Sequence, residues 1–400
     1  MSGPLSHVRV LDLSRVLAAP WAGQVLADLG ADVVKVERPG AGDDTRAWGP
    51  PFFEDARHGR RDAGYFLAAN RGKRSITLDL DKPAGRDIAR ALAARSDVLL
   101  ENYKVGTLAR FGLGPEELRS ANPRLVYCSV TGFGQSGPRS TQVAYDFLIQ
   151  AMGGLMSITG ERDGRPGGGP QKVGVPIVDL MTGMYAAVAV LAALTRREVS
   201  GRGEYIDLAM LDVQVAFLAN QAMNYLLSGN APRRTGNAHP NIQPQQVFAC
   251  RDGEVVLVVG NDAQFAKLAE VLGRAAWARD ARFATNAARV RHQDTLLPLI
   301  SEALARFARS ELVAKLDAAG VPCGPINSIP EAFADPQVVH RGMRVDVAGV
   351  PQVASPFRFA ASPVAYDRPP PRLGEHSSEI LRELGMGEAE IERLRAEGVL

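Results

Sequence analysis

The sequence predicts an α/β protein: a parallel, doubly wound sheet flanked by helices, followed by a smaller α/β unit. Three observations lead there. Short β-rich runs alternate with helical segments of about ten to fifteen residues through the first half, the pattern of βαβ units. A polar stretch at 228–246 (SGNAPRRTGNAHPNIQPQQ) has no apolar period and separates that half from the rest of the chain. Beyond it, one hairpin and three helices form a compact set, and the chain then returns.

The elements run in this order. Residues 8–13 are a β-rich run, 21–29 have helical spacing ending at Gly30, and 31–38 (ADVVKVER) alternate as a strand does. Strands at 75–80 and 97–101 are joined by a helix at 82–96, and a further strand follows at 124–130. Apolar helices at 147–156 and 180–194 flank a glycine-rich loop at 160–169 (GERDGRPGGG). A strand at 204–209 and a helix at 211–227 complete the first half. The later hairpin, FACRDGEVVLVV at 248–259, carries Asp252-Gly253 at its turn. Helices at 262–272, 293–308 and 310–319 precede a turn-rich return at 320–330, and a charged helix pair at 379–398 splits at Gly385-Met386-Gly387. The domain reading is 1–225 for the large domain, 226–330 for the small one with its linkers, and 331–400 for the return to the first.

Composition narrows the function. In 400 residues, 46 Lys and Arg against 44 Asp and Glu leave a formal charge of +2, too balanced for a dedicated nucleic-acid binder. Hydrophobic residues at 46% and charged residues at 22% exclude a disordered chain. Cys128, Cys250 and Cys323 are scattered without CxxC or His spacing, which argues against a disulfide framework and against a metal site. Residues 1–9 lack the apolar stretch of a signal peptide. The apolar run at 181–194 is short for a bilayer and suits a core helix. The expectation is a soluble, cytoplasmic protein without membrane or nucleic-acid partners.

After the first strand, a dinucleotide fold needs Gly-x-Gly-x-x-Gly so that backbone can approach a pyrophosphate. Here the turn reads SRVLAAP at 14–20, with no glycine, so an NAD site is not expected. Basic residues stand at the strand ends instead: Arg38, then Arg71, Lys73 and Arg74, then Lys104 and Arg110 after Glu101-Asn102-Tyr103. Arginine forks and lysine charges suit a ligand carrying several phosphates, while singly each also suits a solvated surface.

Asp179 stands in VGVPIVDLMTGM at 173–184, between the glycine-rich loop and the most apolar helix. Two roles fit it: N-cap of that helix, or a carboxylate held ionised by the helix terminus and able to attack a thioester carbonyl. Asp146 either caps the helix it precedes or lines the pocket. Gly153-Gly154 and Gly167-Gly168-Gly169 either form plain turns or supply N–H donors to an oxyanion. His239 lies in GNAHPN at 236–241, a loop histidine in a segment with active-site texture, and Cys128 reads as an inert buried thiol.

Taken in order along the chain, VLDL at 10–13, LGADVVKVERPG at 29–40, NRGKRSITLDL at 70–80, ENY at 101–103, GFG at 132–134, GVPIVD at 174–179, GRGE at 201–204, GNAHPN at 236–241 and LGEH at 373–376 resemble the family III CoA-transferases, the CaiB/BaiF class. The resemblance implies a Rossmann-like large domain without the dinucleotide fingerprint, and a homodimer of two interlocked, ring-like chains. It implies an acyl-CoA:carboxylate CoA-transferase in which Asp179 is the nucleophile, passing through an aspartyl anhydride and an aspartyl-CoA thioester. It carries contacts to coenzyme A, bound as acyl-CoA substrate, onto Arg38, Asn70, Lys73, Arg74, Asn102, Tyr103 and Arg110, and a substrate pocket onto Leu17, Tyr145, Asp146 and His239. Neither metal nor NAD is implied. Leu17 stands where formyl-CoA-using members carry glutamine, and the mobile glycine run of their small domain is missing here. Tyr145-Asp146 stand where the α-methylacyl-CoA racemases of the superfamily have His-Asp; a racemase or epimerase is the alternative reading, and it lacks its histidine.

Overall fold

The computed structural model describes residues 3–56 and 59–400; the first two residues of the 1–225 domain range lie outside them. The chain folds as two compact units. One comprises residues up to 155, 173–223 and 339–400; the other comprises 156–172 and 224–338. The glycine-rich loop at 160–169, expected within the first domain, therefore belongs to the second unit.

In the first unit, six strands form one all-parallel sheet: β1 (Arg9–Asp12), β2 (Asp32–Glu37), β3 (Arg74–Thr77), β4 (Val98–Glu101), β5 (Val126–Thr131) and β6 (Tyr205–Ala209), in the order β3-β2-β1-β4-β5-β6. This is the order of the doubly wound dinucleotide fold, with its reversal between β1 and β4, where a crevice opens beyond the strand ends.

Strand alternation sends side chains to two cores. Val10, Val33, Val98, Leu100, Val126 and Cys128 face helices α1 (Ala18–Asp28) and α4 (Ile177–Ser200). Leu11, Val34, Ile76 and Leu99 face α2 (Pro83–Ala94) and two C-terminal helices, α9 (Ser377–Glu383) and α10 (Glu388–Ala396), through Ile380, Leu381, Ile391 and Leu394. Each such side chain contributes roughly 1.5–3 kcal/mol on burial. Both faces are covered, as parallel sheets require.

α4 is longer than its apolar run suggests, 24 residues, long and apolar enough by length and composition to cross a membrane. One of its faces, however, packs Val178, Ala186, Ala187 and Val190 into the core. A Cβ at Gly183 would stand 2.5 Å from the Ala18 carbonyl oxygen, so the absent side chain lets α1 and α4 approach closely. Between β5 and α4 lies α3 (Asp146–Met152), which packs on α5 (Met210–Ala216). The single helix expected at 211–227 breaks after α5, and Ala219 takes a φ of 47° at the start of the next segment.

The second unit has a three-stranded antiparallel sheet of β7 (Gln245–Cys250), β8 (Gly253–Val258) and β9 (Cys323–Pro325). Helices α6 (Asp262–Val271), α7 (Gln293–Leu304) and α8 (Arg309–Ala318) complete it, closing a core of Phe248, Val255, Leu257, Phe265, Leu296 and Ile300. Two details differ from the sequence reading. The hairpin turn falls at Arg251-Asp252, one residue early, because Cys250 pairs with Gly253. The turn-rich segment 320–330 contains a strand, β9, whose pairing its Gly and Pro content conceals.

Candidate active site

α4 starts after Pro176, which offers no side-chain cap. The cap comes from elsewhere. Asp146, the first residue of α3, accepts the N–H of Val178 at 2.7 Å and that of Asp179 at 3.3 Å through Oδ2. Its Oδ1 accepts from Gln150 Nε2 at 2.5 Å, and Gln150 Oε1 accepts the Val173 N–H at 2.9 Å. Asp146 thus satisfies orphan donors of a helix 32 residues downstream, and Asp179 is a first-turn residue rather than the N-cap.

Asp179 is buried, at 8% exposure, and among the described residues no protein donor is paired with its carboxylate. Burial first, and the Asp146 charge second, push its pKa up to about 7. The expectation is a carboxylate held ionised by the helix terminus; burial and the like charge of Asp146 oppose that ionisation. Tyr65 senses the charge of both carboxylates. Burial, then the charges of Asp179 and Asp146, push its phenol up to about 12, so it remains an O–H donor. Its ring meets Trp48 edge-on at 5.3 Å. No sequence signal marked either residue.

A separate cleft opens beyond the carboxyl ends of β1, β2 and β4, lined by Arg15, Arg38, Asp43, Tyr103, Thr107 and Phe111 among others. Its lining includes Ser14 and Arg15 of the SRVL turn. Val16 takes a φ of 71°, a left-handed conformation costly for a β-branched residue. Three anchors hold the turn there. Asn102 Oδ1 accepts the Arg15 N–H at 2.9 Å while its Nδ2 donates to the Arg15 carbonyl at 2.6 Å. The Val16 N–H donates to both Asp43 oxygens, at 3.3 and 3.2 Å. Lys35, fully buried, donates to the Ser14 carbonyl at 2.7 Å and pairs with Asp43 at 2.9 Å. Anchored side chains thus hold a left-handed backbone that glycine would adopt without strain.

Of the residues expected at coenzyme A, Arg38 and Tyr103 line this cleft, and Asn102 braces it. Arg110 is exposed beyond β4. The segment 70–74 lies elsewhere. Lys73 is fully buried and donates to Asp12 at 2.8 Å, the Pro20 carbonyl at 2.9 Å and Asn70 Oδ1 at 2.9 Å. Asn70, also fully buried, donates to the Phe66 carbonyl. Arg71 pairs with Asp28 at 2.7 Å. Arg74 begins β3, at the amino edge of the sheet, and pairs with Asp32, Glu379 and Glu383. In this chain the side chains of Asn70, Lys73 and Arg74 are engaged by internal partners. Their charges read as available because nothing local shows that Asp12 and Asp32 face them.

Leu17 is buried at the start of α1, and its carbonyl accepts from Trp21. Tyr145 is exposed just before α3. Cys128 is buried, and burial raises its thiol to about 12, which leaves it inert. In the second unit, His239 Nδ1 accepts the Asn241 N–H at 3.0 Å, which leaves Nε2 as the ring's other polar atom. Gln243 Nε2 donates to the His239 carbonyl at 3.0 Å, and Arg289 donates to that of Gln243 at 2.7 Å, bracing the loop. The glycine-rich loop closes on itself: Glu161 bridges Gly168, and a Cβ at Gly160 would stand 2.3 Å from the Gly169 carbonyl oxygen. Its glycines serve that close packing first. Among the described residues no cluster of His, Cys, Asp or Glu is placed to hold a metal ion.

This strand order, a cleft at the strand ends carrying Arg15 and Arg38 beside Glu37, Asp79 and Asp81, and a carboxylate without a protein donor suit an α/β enzyme with a polar ligand. The comparisons make the class specific. The profile of CoA-transferase family III matches residues 5–377. A succinate–glutarate CoA-transferase of Agrobacterium fabrum is 51% identical over 386 residues, 95% of this chain and 96% of the relative. The human succinyl-CoA:glutarate CoA-transferase is 41% identical over 95% of this chain and 86% of its own length. The crystal structure of a CaiB/BaiF family protein from Brucella suis is 49% identical, superposes with a TM-score of 0.85, and covers 96% of this chain and 100% of its own. The chain belongs to CoA-transferase family III, and it is an enzyme that transfers CoA between a thioester and a carboxylic acid.

Proposed function

We propose that Asp179 is the nucleophile of this transfer and that the acids exchanged are dicarboxylates such as succinate and glutarate. The observation that carries the reading is the Asp179 carboxylate itself: buried, without a donor, and raised to about 7 beside Asp146. Such a group is poorly solvated and therefore reactive once ionised. It attacks the thioester carbonyl, the C–S bond breaks, and a mixed anhydride and the CoA thiolate form. The thiolate then attacks the aspartyl carbonyl of the anhydride, expelling the first acid and leaving an aspartyl-CoA thioester. The acceptor carboxylate attacks that thioester, and the returning thiolate takes the new acyl group, which regenerates Asp179. Thioester is exchanged for thioester at nearly equal free energy, so the site's main task is to keep water from the anhydride.

The donor and acceptor classes come from the names of the relatives at 51% and 41% identity, both glutarate enzymes. CoA is read into the cleft with Arg15, Arg38 and Tyr103. Tyr145-Asp146 speaks against the racemase alternative, because a 1,1-proton transfer needs a second acid/base group and Asp146 is committed to capping α4.

A homodimer of interlocked chains is part of the reading. Its support is a seam on α4: Tyr185, Val188, Ala192, Thr195 and Val199 are all exposed and recur at alternating steps of three and four, the spacing of helix-to-helix contacts. A cytoplasmic location is part of it too, in keeping with three free cysteines.

The test is to incubate the enzyme with succinyl-CoA, quench with hydroxylamine or borohydride, and map the adduct by mass spectrometry. Label at Asp179 is expected. An active enzyme labelled elsewhere, or unimpaired as Asp179→Ala, contradicts the assignment.

A further inference from the structure

The cleft beyond β1 and β2 contains two guanidinium groups that share one carboxylate. Arg15 Nη1 stands 3.3 Å from Asp44 Oδ2, and Arg38 Nη2 stands 4.0 Å from Asp44 Oδ1. The neighbouring acid, Asp43, is wholly committed: it holds Val16, Thr45 and Lys35, and its side chain is buried. Asp44 has no such duties. Its carboxylate meets only these two arginines, neither arginine has another acidic partner among the described residues, and the side chains are 39%, 50% and 65% exposed for Asp44, Arg15 and Arg38.

From this we propose that Asp44 is a built-in stand-in anion. It holds Arg15 and Arg38 toward the cleft and is displaced by a phosphate group of the CoA ligand, which makes Arg15 a phosphate-binding residue of this enzyme. The inference rests on the CoA reading of the cleft.

Physical chemistry favours the exchange. Ion pairs this exposed are weak in water and exchange readily. A phosphate monoester carries a charge of about −1.5 to −2 at neutral pH and offers three acceptor oxygens, against one charge and two oxygens for a carboxylate. Arginine forks bind phosphate bidentately, so both guanidinium groups gain by exchanging Asp44 for it. The Arg15 backbone is clamped by Asn102 and its guanidinium lies 5.9 Å from the Tyr103 ring, so the side chain springs from a fixed point in the cleft wall. After exchange Asp44 remains beside the phosphate as a like charge. It therefore lowers affinity, and with it the residence time of each CoA species, in an enzyme that must release one CoA thioester and accept another.

The experiment measures dissociation constants of CoA and of 3′-dephospho-CoA for the full-length enzyme, as wild type, Asp44→Asn, Arg15→Gln and the double variant. Asp44→Asn is expected to tighten CoA by about threefold to tenfold, the size of a lost like-charge contact in a partly screened cleft. Arg15→Gln is expected to weaken it by about tenfold. In the double variant the gain from Asp44→Asn shrinks, because half of the pairing it releases is already gone. All three side chains are exposed, and circular dichroism and melting temperature establish that the variants remain folded. A gain confined to CoA identifies the 3′-phosphate as the displacing group, and a gain shared by 3′-dephospho-CoA identifies the pyrophosphate. Wild type that binds CoA with Asp44→Asn unchanged or weaker overturns this inference alone. Wild type that binds neither ligand overturns the CoA reading of the cleft, and this inference with it.

Discussion

Asp146 and Asp179 are joined by one contact with two opposed effects. The Asp146 carboxylate accepts the Asp179 N–H at 3.3 Å and so helps fix the start of α4, while its charge opposes ionisation of the Asp179 side chain. One acid builds the helix terminus that presents the other and keeps the second acid basic. A neighbouring carboxylate that raises the pKa of a catalytic acid is a recurrent device in active sites.

The pH dependence of turnover is set by this pair. With a pKa of about 7, the ionised fraction of Asp179 rises as pH increases through that value. kcat/KM for succinyl-CoA is therefore expected to climb from about pH 6 and flatten above about pH 8. Asp146→Asn removes the like charge and keeps a hydrogen-bond acceptor for α4, so its acid limb moves to lower pH by about one unit. A limb that stays in place assigns the titration to another group.

Stability carries the same signature with the opposite sense. The native pKa of about 7 lies above the ordinary 3.8, so the native state retains a proton that the unfolded state has lost between those values. The cost of the buried charge is absent below the lower value and complete above the upper one. Asp179→Asn is expected to stabilise the fold by roughly 1–4 kcal/mol near pH 8 and by little near pH 4, read from denaturant unfolding at each pH.

Lys73 discriminates between a ligand contact and a structural one. Lys73→Met leaves Asp12 buried without its ion pair, which costs about 3–5 kcal/mol. Its KM for succinyl-CoA at a permissive temperature is expected to stay near wild type. Arg38→Gln, on the exposed side of the cleft, is expected to raise KM by about tenfold with little change in melting temperature. The reverse pattern restores Lys73 to the CoA site.

Along α4, Val188 lies in the middle of the exposed apolar seam. Val188→Glu places a charge where a second copy is expected to pack, at a cost of several kcal/mol if the contact is buried. Because interlocked chains cannot part without unfolding, the effect is read as a melting temperature lowered by several degrees and a reduced yield of assembled dimer. A variant with the melting temperature and dimer yield of the wild type removes α4 from the interface.

Much of this architecture could be read from the residues. The alternation in ADVVKVER and in the runs near residues 10, 76, 98 and 127 pointed to the parallel sheet, because a strand with both faces buried leaves a dense apolar record. Asp179 stood out for its setting between a glycine-rich loop and an apolar helix. Long-range pairing left no such record. Nothing near Lys73 announces Asp12, 61 residues away, and nothing near Asp146 announces the start of α4. Val16 looked like an ordinary aliphatic residue, yet its left-handed backbone is imposed by Asp43 and Asn102. Basic residues were legible as charges, while their partners, which decide whether a charge is available, were set by tertiary structure alone.

The most direct test of Asp179 as the covalent relay is to trace oxygen through a turnover. Each transfer to an acceptor whose carboxylate carries heavy oxygen passes through an anhydride, and its bridging oxygen stays with the enzyme when the thiolate takes the new acyl group. After multiple turnovers with heavy-oxygen glutarate and succinyl-CoA, the peptide containing Asp179 is expected to have gained the heavy isotope at that side chain. Turnover with no isotope in that peptide contradicts the account.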